Sequence, residues 1–193
     1  MSEFEGMKIG YAFCGSFCTF EKSIAELEKL VKDGAIVTPI MSFTAFDTDT
    51  RFGKSADINK RIEDICGNKI ISTIEGAEPI GPQKMFDILI VAPCTGNTVA
   101  KLAAGIIDTP VTMAVKSHIR NAKPVVLAIA TNDALAGSAK NIGMLLNYRN
   151  FYFVPYGQDN FSAKPNSLVA DFSLLGDTVL LAAKGKQIQP LLL

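Results

Sequence analysis

The sequence predicts an α/β protein: a single doubly wound, three-layer sandwich around a six-stranded, mostly parallel sheet. Three observations carry that reading. Short apolar runs rich in β-branched residues alternate along the chain with segments of helical period. Two of those runs, Ile88–Ala92 and Val125–Ala130, are apolar at every position, as strands covered on both faces require. The 193 residues are 48% apolar, enough for one large core, and contain neither a repeat nor a linker, so residues 1–193 read as one domain.

The elements follow in order. The first strand is Ile9–Phe13. A helix over about Phe20–Asp33 places Ile24, Leu27, Leu30 and Val31 on one face, with Thr19 to cap it and Gly34 to end it. Ala35–Met41 is the second strand, and the polar stretch 42–53 reads as a loop. Ile58, Ile62 and Ile65 mark a short helix that stops near Gly67, followed by a brief third strand at Ile70–Thr73. The glycines and prolines of 75–82 predict a loop. After the fourth strand, Ile88–Ala92, a helix covers about Asn97–Ile107, and Asp108-Thr109-Pro110 starts another, with proline in the tolerated first turn. Val125–Ala130 is strand five, a helix spans about Ala139–Asn147, and Phe151–Val154 is strand six. Residues 156–164 read as a polar loop. A last helix over about Ser167–Lys184 carries Leu168, Val169, Phe172, Leu175 and Val179 on one stripe. The result is a Rossmann-like, flavodoxin-like sandwich, whose ligands lie at the carboxyl ends of the strands.

Composition excludes several functions. Nineteen basic residues balance nineteen acidic ones, so no field gathers nucleic acid or an anionic membrane. The apolar runs fall far short of the ~20 residues that cross a bilayer, and residues 1–8 lack the pattern of a signal peptide. A cytoplasmic, soluble protein is expected. Cys14, Cys18, Cys66 and Cys94 do not form a disulfide framework in a chain of this length. With His118 as the single histidine, a four-ligand zinc site is hard to assemble, so no metal is expected. His118 itself reads as a structural or surface residue.

Four strand-end loops carry the chemistry. Cys14-Gly-Ser-Phe-Cys-Thr19 combines a glycine that lets backbone approach a ligand with hydroxyls on Ser16 and Thr19, and it opens onto a helix start that suits a phosphate. It is not a P-loop, because Ser16 and Phe17 stand where Lys and Ser/Thr belong, and no G-x-G-x-x-G is present. In the second loop Ser42 and Thr44 can hydrogen-bond a ligand, though local turns explain them equally well. Pro93-Cys-Thr-Gly-Asn-Thr98 can surround a ligand with N–H groups, hydroxyls and an amide; Asn97 is also a candidate helix cap. Thr131 and Asn132 follow strand five and lie beside that turn if strands four and five are neighbours.

Together the Gly15-Ser16 turn, the serine-containing loop after strand two and Pro93-x-x-x-Asn97-Thr98 resemble the homo-oligomeric FMN-binding flavoprotein superfamily. That group includes peptidyl-cysteine and phosphopantothenoylcysteine decarboxylases and flavin prenyltransferases. Further stretches are similar to one branch of it: Asp49-Thr-Arg-Phe-Gly-Lys54, Gly76-Ala-Glu-Pro-Ile-Gly-Pro82, Thr131-Asn-Asp-Ala-Leu135, Tyr156-Gly-Gln-Asp159 and Lys164-Pro-Asn-Ser167. Members of that branch are the flavoprotein-like subunits of a two-part oxidising synthase of spore formation.

The resemblance implies oxidation of a dihydropyridine or hydroxylated tetrahydropyridine dicarboxylate to dipicolinate. It also implies a partner, the A subunit, similar to a nicotinamide-dependent dehydrogenase, so that NAD(P)H chemistry would enter through the partner, and it implies a homo-oligomer. Gly15, Ser16 and Phe17 would hold the FMN phosphate end, and Ser42 and Thr44 the ribityl or phosphate oxygens. Cys94, Thr95, Gly96, Asn97 and Thr98 would line the isoalloxazine, with Thr131 beside them. Asn97 and Asn132 would face the substrate; a dicarboxylate needs cations, for which the residue chemistry offers Arg51 and Lys164, on loops bordering the site, with ordinary surface charges as the alternative reading. Two departures separate the chain from the cysteine decarboxylases: residues 42–80 contain no histidine, and the Pro-x-Met-Asn clamp is reduced to Ala130-Thr131-Asn132. A decarboxylase, a flavin prenyltransferase and a non-catalytic organising subunit are the alternatives. No residue stands out in the sequence as a general acid or base.

Overall fold

Chain order reverses around β1 (Lys8–Phe13): β2 (Ile36–Met41) pairs on one side of it and β3 (Ile88–Cys94) on the other, both parallel. The structure, a computed structural model, describes residues 2–193. From β3 the sheet continues in parallel to β4 (Val125–Thr131). Strands β1, β3 and β4 are buried almost throughout, which is why their sequences run apolar without alternation. Helices cover both faces. α1 (Phe20–Lys32) touches α3 (Ser55–Cys66) and α8 (Leu175–Ala183), while α5 (Gly96–Ala104) touches α6 (Pro110–Ile119) and α7 (Ala139–Leu146).

Among the described residues the sheet has seven strands and is mixed, where six mostly parallel strands were expected. The difference arises at β4. Only its first half, Val125–Leu127, is paired on the outer side by β5 (Phe151–Phe153), in parallel. The edge beyond is open, and buried backbone groups there need partners. β7 (Leu168–Ala170) supplies them, antiparallel at Ala130 and Thr131, and β6 (Tyr156–Gly157) pairs with β7 in turn. The long helix expected from Ser167 is therefore a strand, a 3-10 turn at Phe172–Leu174 and the shorter α8. The apolar C-terminal residues continue this edge: Tyr156 exchanges backbone hydrogen bonds with Leu191 and Leu193.

Other expectations change locally. Ile70–Thr73 is not a strand; Ile71 makes one parallel bridge to Ile40. The loop at 42–53 contains α2 (Phe43–Asp47), and the stretch 75–82 includes the end of α4 (Ile74–Ala77) and a 3-10 turn. α5 stops at Gly105, whose φ of +69° favours glycine, instead of reaching Ile107. α6 begins as expected, with Thr109 and Thr112 forming a reciprocal capping box ahead of Pro110.

Candidate functional site

The strand-order reversal places the turns after β1 and β3 side by side, the position where open α/β sheets bind ligands. The two turns are tied together. Cys14 donates its N–H to Pro93 O at 3.2 Å, and Thr98 Oγ1 donates to Cys14 Sγ at 3.2 Å. Burial pushes the Cys14 thiol up to about 11, against the smaller pull of the Thr98 hydroxyl, so it stays a neutral packing group.

In the β1 turn the Ser16 N–H donates to Cys14 O at 2.7 Å, and Thr19 Oγ1 donates to Ser16 O at 2.8 Å. Thr19 thus closes the turn and does not cap α1 with its side chain. A 3-10 turn at Phe17–Thr19 leads directly into α1; the Ser16 and Thr19 N–H groups are bonded within the turn, so those of Phe17 and Cys18 carry the partial positive charge of the helix start. Ser16 Oγ has only long contacts, 3.4 Å to Thr19 Oγ1 and 3.9 Å to Cys18 Sγ, and is available to an incoming oxygen.

At the β3 turn the cap of α5 is Thr95, not Asn97. Thr95 Oγ1 accepts the Thr98 N–H at 3.3 Å and lies 3.1 Å from Thr98 Oγ1. Asn97 sits in the first helical turn, exposed, with its amide free for a ligand. Behind it, Thr131 Oγ1 donates to Asp133 Oδ1 at 2.6 Å and Ser138 Oγ donates to the same oxygen at 2.9 Å. The Thr131 bond, outweighing partial burial and helped by Ser138, holds the Asp133 carboxyl below the usual range.

Two cavities meet at these turns, and Gly15, Thr95 and Asn97 line both. One, of about 420 Å³, also takes in Ser16, Phe17, Gly96, Thr131 and Asn132, with Arg51 and Lys164 on its rim. The other, of about 520 Å³, is walled by Ser42, Thr44, Thr98 and the Lys101–Asp108 ion pair, whose atoms are 2.9 Å apart. Every ligand-binding residue expected from the sequence therefore faces one cavity or both, except Cys94. Its side chain is fully buried in β3, where the inward position of the strand points it into the core. Ser42 Oγ accepts the Ala45 N–H at 3.3 Å, so it caps α2 as well as lining the cavity.

Sequence reasoning missed Phe52, Asp133 and Asp159. Asp133 was legible as Thr-x-Asp after a strand, whereas Phe52 and Asp159 reach the first cavity only through folding. A third cavity, of about 590 Å³, lies between α1 and the β6–β7 edge and holds none of the predicted residues. His118 lies elsewhere, on α6, buried, with Nε2 3.1 Å from Pro124 O.

The site's chemistry suits a phosphorylated ring compound: free N–H groups and hydroxyls at one end, aromatic side chains, and cations at the rim. The backbone is bare where approach is closest. A Cβ at Gly15 would stand 3.3 Å from Thr44 Cγ2, and one at Gly96 would stand 2.6 Å from Thr131 Oγ1. Among the described residues no cluster of His, Cys, Asp and Glu comes together to hold a metal ion, and no helix is long and apolar enough to cross a membrane.

The Flavoprotein family model matches residues 2–161, and the chain belongs to that family. Over 192 residues, all of this chain and 96% of the other, it is 45% identical to the B subunit of dipicolinate synthase from Bacillus subtilis strain 168. It is similar throughout to the crystal structure of the corresponding dipicolinate synthase subunit from Bacillus halodurans, with a TM-score of 0.91 and 42% identity over 100% of this chain and 98% of that one. Burkholderia xenovorans DmrB, a cubic cage for redox transfer solved with FMN, shares the fold at a TM-score of 0.67 and 18% identity, covering 90% and 93% of the two chains.

Proposed function

We propose that this chain acts as the B subunit of a dipicolinate synthase and holds FMN across the two cavities between β1 and β3. With a nicotinamide-dependent A subunit, it would take part in oxidising a dihydro- or hydroxytetrahydropyridine dicarboxylate to dipicolinate during sporulation. The observation that carries the reading is the 45% identity to the B subunit of a dipicolinate synthase along the whole chain. The converging turns support it in chemical detail.

Flavin supplies two-electron oxidation when bound, and the protein's share is binding and orientation. Gly15, Ser16 and Phe17 would hold the phosphate at the start of α1, where free N–H groups and the helix dipole favour an anion. Ser42 and Thr44 would meet ribityl oxygens in the second cavity. Thr95, Gly96, Asn97, Thr98 and Thr131 would edge the ring. Arg51 and Lys164 would receive the two substrate carboxylates, with the Asn97 and Asn132 amides orienting the ring between them. A homo-oligomer in the cytoplasm is the expected setting.

The test is co-purification with the A subunit, identification of any released chromophore, and assay of pyridine-dicarboxylate formation. Gly15→Asp and Asn97→Ala should each reduce bound flavin and activity at least tenfold. Retention of both flavin and activity in the two variants would show that the ligand sits elsewhere.

A further inference from the structure

Two cations rim the first cavity, and they stand in opposite electrostatic states. Arg51 lies in a tight turn closed by Thr50 and Gly53, whose backbones exchange hydrogen bonds of 3.0 and 3.1 Å. Its guanidinium carbon is 4.9 Å from the Phe52 ring centroid, and among the described residues no carboxylate pairs with it. Lys164 is already partnered: its Nζ is 3.3 Å from Asp159 Oδ2.

That pairing is built into the loop. Lys164 N–H donates to Asn160 O at 2.7 Å, Ala163 N–H to Asn160 Oδ1 at 2.9 Å, and Gln158 Nε2 to Pro165 O at 2.8 Å. These bonds hold positions 159 and 164 next to each other at the rim. The pair is also easy to part. The Lys164 side chain is 53% exposed and that of Asp159 32%, and ion pairs in such surroundings contribute little. Asp159 would not be left bare, because the Ser167 hydroxyl also favours its ionised carboxylate.

Building on the function proposed above, we infer that Asp159 is an internal competitor for Lys164. It keeps the ammonium aimed into the cavity and yields it to the second carboxylate of a dicarboxylate ligand. A monocarboxylate finds Arg51 unpaired and has no need of Lys164. A dicarboxylate engages Arg51 with one group and exchanges places with Asp159 using the other. Lys164 then confers the preference for two carboxylates, and Asp159 keeps that binding reversible, which serves product release.

Calorimetric titration of the purified chain, with whatever cofactor it carries, tests this with pyridine-2,6-dicarboxylate and pyridine-2-carboxylate. Asp159→Asn keeps the shape while removing the charge. It should tighten the diacid about three- to tenfold and the monoacid by less. Lys164→Met should bring diacid affinity down to the level of the monoacid, Lys164→Arg should largely restore it, and adding Asp159→Asn to Lys164→Met should tighten the diacid no more than Asp159→Asn tightens the monoacid in the parent. In turnover with the A subunit, Asp159→Asn should lower KM and kcat together. Where the unaltered chain binds the diacid, an affinity unchanged or weakened in Asp159→Asn overturns the inference and leaves the proposed function standing. Failure of the unaltered chain to bind either acid overturns both.

Discussion

Gly96 lies against Thr131 so closely that a Cβ at position 96 would stand 2.6 Å from Thr131 Oγ1. Ser138 Oγ and Asp133 Oδ1 would be 2.7 and 2.8 Å away, and Asp133 Oδ1 already accepts hydrogen bonds from both hydroxyls. The start of α5 and the turn after β4 are thereby clamped together at the edge of the first cavity. Gly96→Ala is expected to force them apart, costing ~1–3 kcal/mol of stability by overpacking and loosening bound flavin about tenfold or more. Urea unfolding and flavin-fluorescence titration of the variant would measure the two effects.

Asp133 closes the same clamp from the other side. Asp133→Ala removes the acceptor of both Thr131 and the nearly buried Ser138, at a cost of about 1–2 kcal/mol. Because the Asp133 pKa is depressed in the fold, its contribution is present above the ordinary carboxylate range and fades as pH falls through the folded value. Solvent exposure keeps that pH effect small. The gap between the urea midpoints of parent and variant should narrow modestly at acid pH without closing, and a gap that widens toward about pH 2, well below the ordinary carboxylate value, would contradict a depressed Asp133 pKa.

Ser23 ties α1 to the carboxyl end of β3. Its buried Oγ donates to Ala92 O at 2.6 Å and lies 3.0 Å from the Tyr11 hydroxyl, which also donates to Ser23 O. Burial, against the Ser23 bond, keeps the Tyr11 phenol raised far above its ordinary value, so it acts only as a neutral partner. Ser23→Ala is expected to destabilise by ~1–3 kcal/mol, since a buried carbonyl loses its donor. Thermal melts should show this with no flavin loss beyond that caused by unfolding.

His118 predicts acid sensitivity. Burial lowers its pKa to about 4, outweighing the hydrogen bond to Pro124 O, and the neutral ring donates from Nε2. The unfolded chain protonates near the ordinary value of about 6.5. Stability from this residue is therefore complete above that value and declines as pH falls from about 6.5 toward 4, by roughly 3 kcal/mol in all. Urea unfolding at intervals across that window should show the slope. In His118→Gln, which can donate to Pro124 O but does not titrate, the slope should be shallower.

Local signals make much of the fold legible. The unbroken apolar runs of β3 and β4 fit only central strands, and Gly67 ends α3 at φ +64°, as a glycine after a helical stripe indicates. The turn residues around Gly15 and Thr95–Thr98 are likewise visible, because small and hydroxyl-bearing residues cluster there directly after buried strands, although Thr95 and Thr98 also serve as cap and tie. Cys94 falls outside the site because β3 does not end ahead of Pro93; it runs on to Cys94, opposite Ile129, and takes that side chain into the core.

By itself, then, the sequence determined the α/β layering, the central strands and the chemical character of the strand-end turns, all of which depend on residue type and period within a few positions. Tertiary structure alone decided that Leu168–Ala170 is a strand and that Asp159 faces Lys164 across the cavity rim. Three apolar residues in a row carry no period of their own. They became a strand because β5 covers only half of β4 and leaves hydrogen-bonding groups that something must satisfy.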